Sequence, residues 1–323
     1  MPHKINTMAY YGLKPWHRLG VELPARATAA EMIKAAGLDW DVAMTPAQGA
    51  GINKKGVASR YIISRLPRNE KEDEILLGTV TGRYEPLQNE EAFEFFDPII
   101  GEGRACFETA GALGDGERIW ALAKMPGVIH VVRDDDCMKY LLLSNRHDGQ
   151  GSVMIKFTPV RVVCQNTLML ALENGQKAFR VRHSKSMPDR LAEVGEIMRI
   201  TKEVYEKGAE LFKKMATVSL KPEGFRDYLD LVFPRSDSQR KQGKDPAKWD
   251  YVREVLDTRE DLQMAGVRGT LWGAYNAITR FEDYRQPDKE EAADTRLNRT
   301  WFGSGADVKL RALMAAQTIV SKN

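Results

Sequence analysis

Cysteine is scarce: in 323 residues only Cys106, Cys137 and Cys164 carry thiols, and no two form a CxxC pair. That excludes a disulfide framework and a thiolate zinc site, and it fits a reducing, cytoplasmic setting. Long apolar runs are missing as well. Met1 to Gly20 holds no uninterrupted hydrophobic region, and no later stretch approaches the roughly 18 apolar residues of a membrane span, so a soluble, unexported protein that does not enter membranes is expected. Gly101-Glu-Gly103 and Gly111/Gly114/Gly116 lack both the GxGxxG spacing and the GxxxxGK[ST] lysine of nucleotide cradles. The histidines at 3, 17, 130, 147 and 183 make no HExxH, and Gly303-Ser-Gly305 is no GxSxG elbow. No enzyme signature is left, and no cofactor is expected. An excess of one charge is absent too, since 48 Lys+Arg against 45 Asp+Glu leave a formal +3. What is present is ordinary globular composition, 43% hydrophobic and 29% charged, in a chain long enough to bury a full core.

The first half alternates short β-rich runs with turns. Trp40 to Thr45, Tyr61 to Leu66 and Ile75 to Arg83 read as a meander feeding a helix that Asn89 caps, with Ala92, Phe93 and Phe96 on one face. A second set reads as strands at Ala105 to Ala110, Arg118 to Met125 and Lys139 to Ser144, with Asp134-Asp-Asp136 at a hairpin turn. Ser152 to Val163 is a strand interrupted at Pro159, Gln165 to Glu173 a short helix, and Ala178 to Ser184 a further strand. After Met187-Pro188 the period becomes helical over roughly 30 residues, through Leu191, Val204, Phe212 and Met215. Lys221 to Phe233, Trp249 to Leu256, Val267 to Tyr284 and Ala306 to Val320 follow as helices. The polar run from Arg235, within 235–247, reads as a mobile loop. The expected class is α+β: antiparallel strand meanders packed on helices over 1–185, then a helical domain over 186–323.

Local counting alters the charge picture. Asn145 to Arg190 holds eight basic residues against three acidic ones, whereas Asn69 to Gly103 holds two against ten. The basic set is Arg146, Lys156, Arg161, Lys177, Arg180, Arg182, Lys185 and Arg190. Alternation along Ala178 to Ser186 sets Arg180, Arg182 and Ser184 on one strand face and Phe179, Val181 and His183 on the other. Such a face is either solvated or a phosphate-binding row for nucleic acid, where Lys and Arg supply most of the affinity. Phe157 and Phe179 are candidate base-stacking rings, with the core as their other use. The turn Asp148-Gly-Gln-Gly151 offers backbone N–H groups, and Gln165-Asn-Thr167 at a helix start would favour an anion such as phosphate, or act as plain caps. Asp134 to Asp136 and the pair His147/Asp148 are the candidates for a divalent ion.

Several strings are specific: Tyr84-Glu-Pro-Leu-Gln-Asn-Glu-Glu-Ala-Phe-Glu-Phe-Phe-Asp97, Asn145-Arg-His-Asp-Gly-Gln-Gly151, Phe157-Thr-Pro-Val-Arg-Val-Val-Cys-Gln-Asn-Thr-Leu168, Gly269-Thr-Leu-Trp-Gly-Ala-Tyr-Asn-Ala277 and Trp301-Phe-Gly-Ser-Gly-Ala306. Over nearly the whole chain these resemble the phage/plasmid-like family, a domain of unknown function of prophage, phage and plasmid genes. That resemblance implies a bacterial host cell and DNA metabolism, and it brings no catalytic residues with it. The layout of strands on helices with a basic strand surface is also similar to the Rad52-like single-strand annealing proteins. This second likeness implies ATP-independent binding and annealing of single-stranded DNA in recombination by a homo-oligomeric ring or filament. The expected contacts are Arg146, Lys156, Arg161, Lys177, Arg180, Arg182 and Lys185, with Gln165, Asn166 and Thr167. Two other classes stay open. One is an interaction protein that binds a host factor in counter-defence through the long helix and the acidic surface; the other is a metal-dependent nuclease.

Overall fold

The computed structural model describes residues 5–12, 20–24, 27–47, 60–94, 105–163, 167–168, 170, 178–186, 194–284 and 294–323. The chain opens with β1 (Ile5–Tyr11) and β2 (Val21–Leu23), which run parallel, and α1 (Ala29–Ala35). Thr28 and Glu31 start that helix as a capping box, each side chain accepting the other's backbone N–H. The expected meander follows as β3 (Val42–Pro46), β4 (Arg60–Arg65) and β5 (Ile75–Thr81), an antiparallel three-stranded sheet. It leads into α2 (Asn89–Glu94).

A larger sheet is built from β6 (Cys106–Leu113), β7 (Arg118–Val132), β8 (Asp135–Arg146), β9 (Val153–Phe157), β10 (Val160–Arg161) and β11 (Phe179–Val181). Its order is β11-β9-β8-β7-β6-β1-β2, with β10 paired to β8, and apart from β1 with β2 the pairs are antiparallel. Pro159 separates β9 from β10, as a residue without an N–H to offer the ladder should. The β7–β8 turn is Arg133-Asp134, where Asp134 takes a left-handed φ of 62°. Asp135 and Asp136 therefore belong to β8 rather than to the turn.

The helices are α3 (Val194–Thr217), α4 (Pro222–Val232), α5 (Asp237–Gln242), α6 (Ala247–Thr258), α7 (Leu271–Tyr284), α8 (Asp294–Trp301) and α9 (Ser304–Val320). Two differences from the sequence reading stand out. The polar run after Arg235 holds α5, because Ser236 and Gln239 form a capping box and Gly243 closes the helix at a φ of 65°. Thr167, expected at a helix start, instead bridges Val160 in antiparallel fashion. The expected helix from Gln165 otherwise lies mostly outside the described residues, as do Phe96, Met187 and Leu191.

Strands in two mostly antiparallel sheets followed by a helical region make this an α+β fold. One hydrophobic cluster nonetheless runs through both halves, from Ala9, Met32 and Phe107 to Phe212, Trp272 and Ala316. Trp272 and Tyr275 pack on Phe212 of α3, with centroids 4.8 and 6.2 Å away. The opposite face of the large sheet carries a smaller cluster of Trp120, Leu122, Tyr140 and Leu142 under Leu297, Trp301 and Phe302. Among the described residues no helix is long and apolar enough to cross a membrane.

Candidate functional site

Two of the specific strings of the sequence, Tyr84–Asp97 and Asn145–Gly151, meet at the junction of the two sheets. Asn145 Nδ2 donates to the Leu87 carbonyl at 3.0 Å, and the Tyr84 hydroxyl donates to the Arg146 carbonyl at 3.0 Å. Asn89, expected as a cap, is buried: its Nδ2 donates to the Leu38 and Trp40 carbonyls, so its Oδ1 must accept from His147 Nε2 at 2.9 Å. Gln88 clasps both backbone groups of Val42. His147 is fully enclosed, edge-on to Trp40, and burial followed by the neighbouring His183 pushes its pKa down to about 3, Asp148 opposing. His183 stacks on Tyr84 at 4.6 Å and meets the Glu85 carbonyl; burial lowers its pKa too. Much of the sequence information therefore goes into locking β5 and α2 against β8.

The Asp148-Gly-Gln-Gly151 turn belongs to the same lock. Asp148 accepts from Arg146 Nε at 2.9 Å and from the Gln150 N–H at 3.0 Å, so that N–H is spent inside the turn. A Cβ on Gly78 would stand 2.4 Å from the Asp148 carbonyl oxygen, and one on Gly149 would stand 2.4 Å from Val80 Cγ1. Gly78→Ala is therefore expected to cost about 1–3 kcal/mol, a lowered urea midpoint being the readout. An unchanged midpoint would mean that the turn and β5 are free to separate.

The expected nucleic-acid contacts divide into four groups. Arg180, Arg182 and Lys185 are exposed, with Val181 and His183 buried, as the alternation required. Arg146 is half-buried, and its guanidinium grips Asp148 with a second contact through Nη2. Lys156 and Arg161 are buried, and half-buried Thr167 is engaged within the fold. Lys156 is buried and donates to the Trp301 carbonyl. Arg161, with no exposed surface, forks onto Asp135 at 2.7 and 2.9 Å and reaches Asp261 at 2.7 Å, while Asp135 also accepts from Trp272 Nε1 at 2.8 Å. Thr167 does meet an anion, as its place in the sequence suggested, but that anion is Asp283 of α7; Lys309 completes the cluster, 2.6 Å from Thr167 Oγ1. Lys177, Gln165 and Asn166, along with Arg190, lie outside the described residues.

The ring and metal candidates fare similarly. Phe157 is a core residue, edge-on to Tyr205, and Phe179 is half-buried against the main cluster. Asp134 is exposed, Asp135 is bound to Arg161, and Asp136 faces His130 at 2.7 Å, so the triplet diverges. Among the described residues no group of three His, Cys, Asp or Glu side chains is placed to hold a metal ion. The acidic segment is partly neutralised by Arg68, which pairs with Glu72 and Asp39 and draws Glu72 down to about 2.

What the sequence did not single out is Arg118. Register puts it opposite Arg146 on the neighbouring strand. Its guanidinium lies over the Phe302 ring at 4.1 Å, and its Nη1 is buried without a hydrogen-bond partner. Burial, then Arg146, and to a smaller extent Arg180, lower its pKa to about 10, Asp148 pulling the other way, so it stays charged at neutral pH. Continuing the β8–β9–β11 register two residues beyond Ser144, Met154 and Arg180 brings Arg182 into line with Arg146 through Ser152. Arg118, Arg146, Arg180 and Arg182 thus gather at one end of the large sheet, beside the Trp301-Phe302 corner. Only strand pairing assembles this set, because Arg118 and Arg146 are separated by the whole β7–β8 hairpin.

The sequence pattern of one protein family, described as a domain of unknown function (DUF932), matches residues 76–301. No curated protein and no solved structure matches the chain.

Proposed function

The chain belongs to the DUF932 family, and from the arginine-lined end of its large sheet we propose that it binds the sugar–phosphate backbone of single-stranded DNA without ATP. The observation that carries this reading is Arg118. A guanidinium kept charged beside two further arginines, with one buried N–H group unsatisfied, is costly until an anion arrives, and phosphate is the anion its fork geometry suits. Arg180, Arg182 and Lys185 extend the track along the exposed sheet edge, and Trp301 and Phe302 supply half-buried ring surface next to it. Single strands suit such a site better than duplex, since rings beside a cationic track stack unpaired bases.

The sequence strings that resemble phage and plasmid proteins motivate a setting in the DNA metabolism of mobile elements, and an order of strands before helices, with a basic strand face, motivates annealing during recombination. Assembly into a ring or filament belongs to the same reading. Among the described residues β11 ends the order of the large sheet, and a second copy adding to that edge is the contact this reading requires.

Binding of labelled oligonucleotides across salt concentrations is the test. Arg180→Ala with Arg182→Ala is expected to weaken binding and to reduce the salt slope by roughly 1–2, because each phosphate contact contributes about one released counterion. Arg118→Ala should weaken it further at constant salt. Binding that is absent at about 50 mM salt, where phosphate contacts are strongest, would remove the proposal.

A further inference from the structure

At the other end of the β7–β8 hairpin, on the opposite face of the sheet, lies a groove that the arginine track does not use. Between Lys124 and Val128 on β7 and Tyr140 and Met138 on β8 the pairing shifts register, so Met125-Pro126-Gly127 bulges out opposite Lys139. Tyr205 of α3 braces the bend, its hydroxyl bonding both the N–H and the carbonyl of Tyr140. Beyond the brace the hairpin arm and α3 diverge and enclose about 450 Å³. The floor is apolar, formed by Met125, Val128, Ile129 and Ala209 around the Tyr205 ring. The rim is basic: Lys139, Lys202 and Lys213, with Glu206 as the single carboxylate among the lining residues. Lys202 lies 3.9 Å from Glu206, and Lys139 sits over the Tyr205 ring at 5.9 Å.

We propose that this groove docks an acidic peptide segment of a partner protein, one that lays an apolar stripe on the floor and carboxylates against the three lysines. Charge and surface chemistry together select that occupant. Nucleic acid would find the phosphate partners but, with Tyr205 buried, only the His130 imidazole, already held by the Asp136 carboxylate, to stack on, and no polar floor for base edges. A purely apolar ligand would leave the lysine rim unused. Helix-in-groove recognition of this kind places anchors at i, i+4 and i+7, and the groove runs along more than three turns of α3, from Thr201 to Lys213.

The experiment uses the full chain and a fluorescein-labelled synthetic peptide of about twelve residues, leucine on one helical face and glutamate elsewhere. Two control peptides accompany it, one with glutamine for glutamate and one scrambled. Saturable anisotropy is expected, weakening at least about tenfold in Lys139→Glu/Lys213→Glu and about tenfold between 50 and 500 mM salt. The glutamine and scrambled peptides should bind at least about tenfold more weakly. Val128→Glu, which charges the floor at a position 38% exposed, is a second variant that should also abolish binding while single-stranded DNA affinity stays unchanged. No saturation, equal binding of the scrambled peptide, or full binding by both variants would overturn the proposal. So would displacement of the peptide by single-stranded DNA, or a concentration-dependent dimer that the variants dissociate, since either would give the groove a different occupant.

Discussion

Arg161→Leu is expected to lower the stability of the folded chain by about 3–5 kcal/mol, as removal of one partner from a buried ion pair does. The cost arises less from lost attraction than from what stays behind. Asp135 has no exposed surface and takes two N–H groups from Arg161 and one from Trp272; without the guanidinium it keeps a buried charge with a single donor. Asp261 loses its Arg161 contacts at the same time. Urea unfolding of the single variant and of Arg161→Leu/Asp135→Leu separates the two contributions. The double variant should recover a large part of the loss, because both charges then leave the interior together. A double variant less stable than the single one would show that the pair contributes net attraction and that stranded charge is not the cause.

Acid is expected to loosen the sheet junction before carboxylates begin to titrate. His147 has a folded-state pKa of about 3 against about 6.5 unfolded, so the unfolded chain takes up the proton first. The stability that a neutral His147 contributes is complete above about pH 6.5 and is lost progressively as pH falls towards 3. The loss is about 2–3 kcal/mol by about pH 4.5 and approaches about 4–5 kcal/mol near pH 3. His183, also lowered, adds in the same direction. Urea midpoints measured between about pH 7 and pH 5 isolate the effect, since most carboxylates stay ionised there. His147→Gln keeps a side-chain N–H for Asn89 and cannot titrate. It should be less stable at neutral pH yet flatter over that window. Parallel pH profiles for both proteins would assign the acid sensitivity elsewhere.

Much of the fold was legible because it is written in local patterns. The β3–β4–β5 meander, the break at Pro159 and the period of α3 all follow from alternation, proline chemistry and helical spacing. The candidate site was half legible. Alternation alone sent Arg180 and Arg182 outward, since a strand needs only its neighbours in sequence to set its faces. Lys156 and Arg161 could not be sorted in this way. Lys156 sits on a strand buried on both faces and Arg161 on a strand of only two residues, and part of their pairing comes from Asp261 and Trp301, about a hundred residues or more away. Arg118 escaped notice for the converse reason, because its importance lies in facing Arg146 across a hairpin. The Asp148–Gly151 turn read as facing a ligand and Asn89 as a cap, and both proved to be parts of one lock between the Tyr84–Asn89 and Asn145–Gly151 strings. Dense polar sequence marks a binding partner, and here the partner is the chain itself.

The clasp of Asp135, Arg161 and Trp272, with Lys156 held by Trp301 and Thr167 by Asp283 and Lys309, also sets an order in time. A ribosome releases the large sheet long before it releases α7, α8 and α9. Until then Asp135 and Arg161, though paired with each other within the sheet, lack Trp272 and Asp261, Lys156 lacks the Trp301 carbonyl, and the Trp120 cluster stays uncovered. Native packing must wait for the last fifth of the chain. Synthesis that stalls between Val181 and Trp272 would therefore expose a half-built sheet to aggregation until the C-terminal helices cover it.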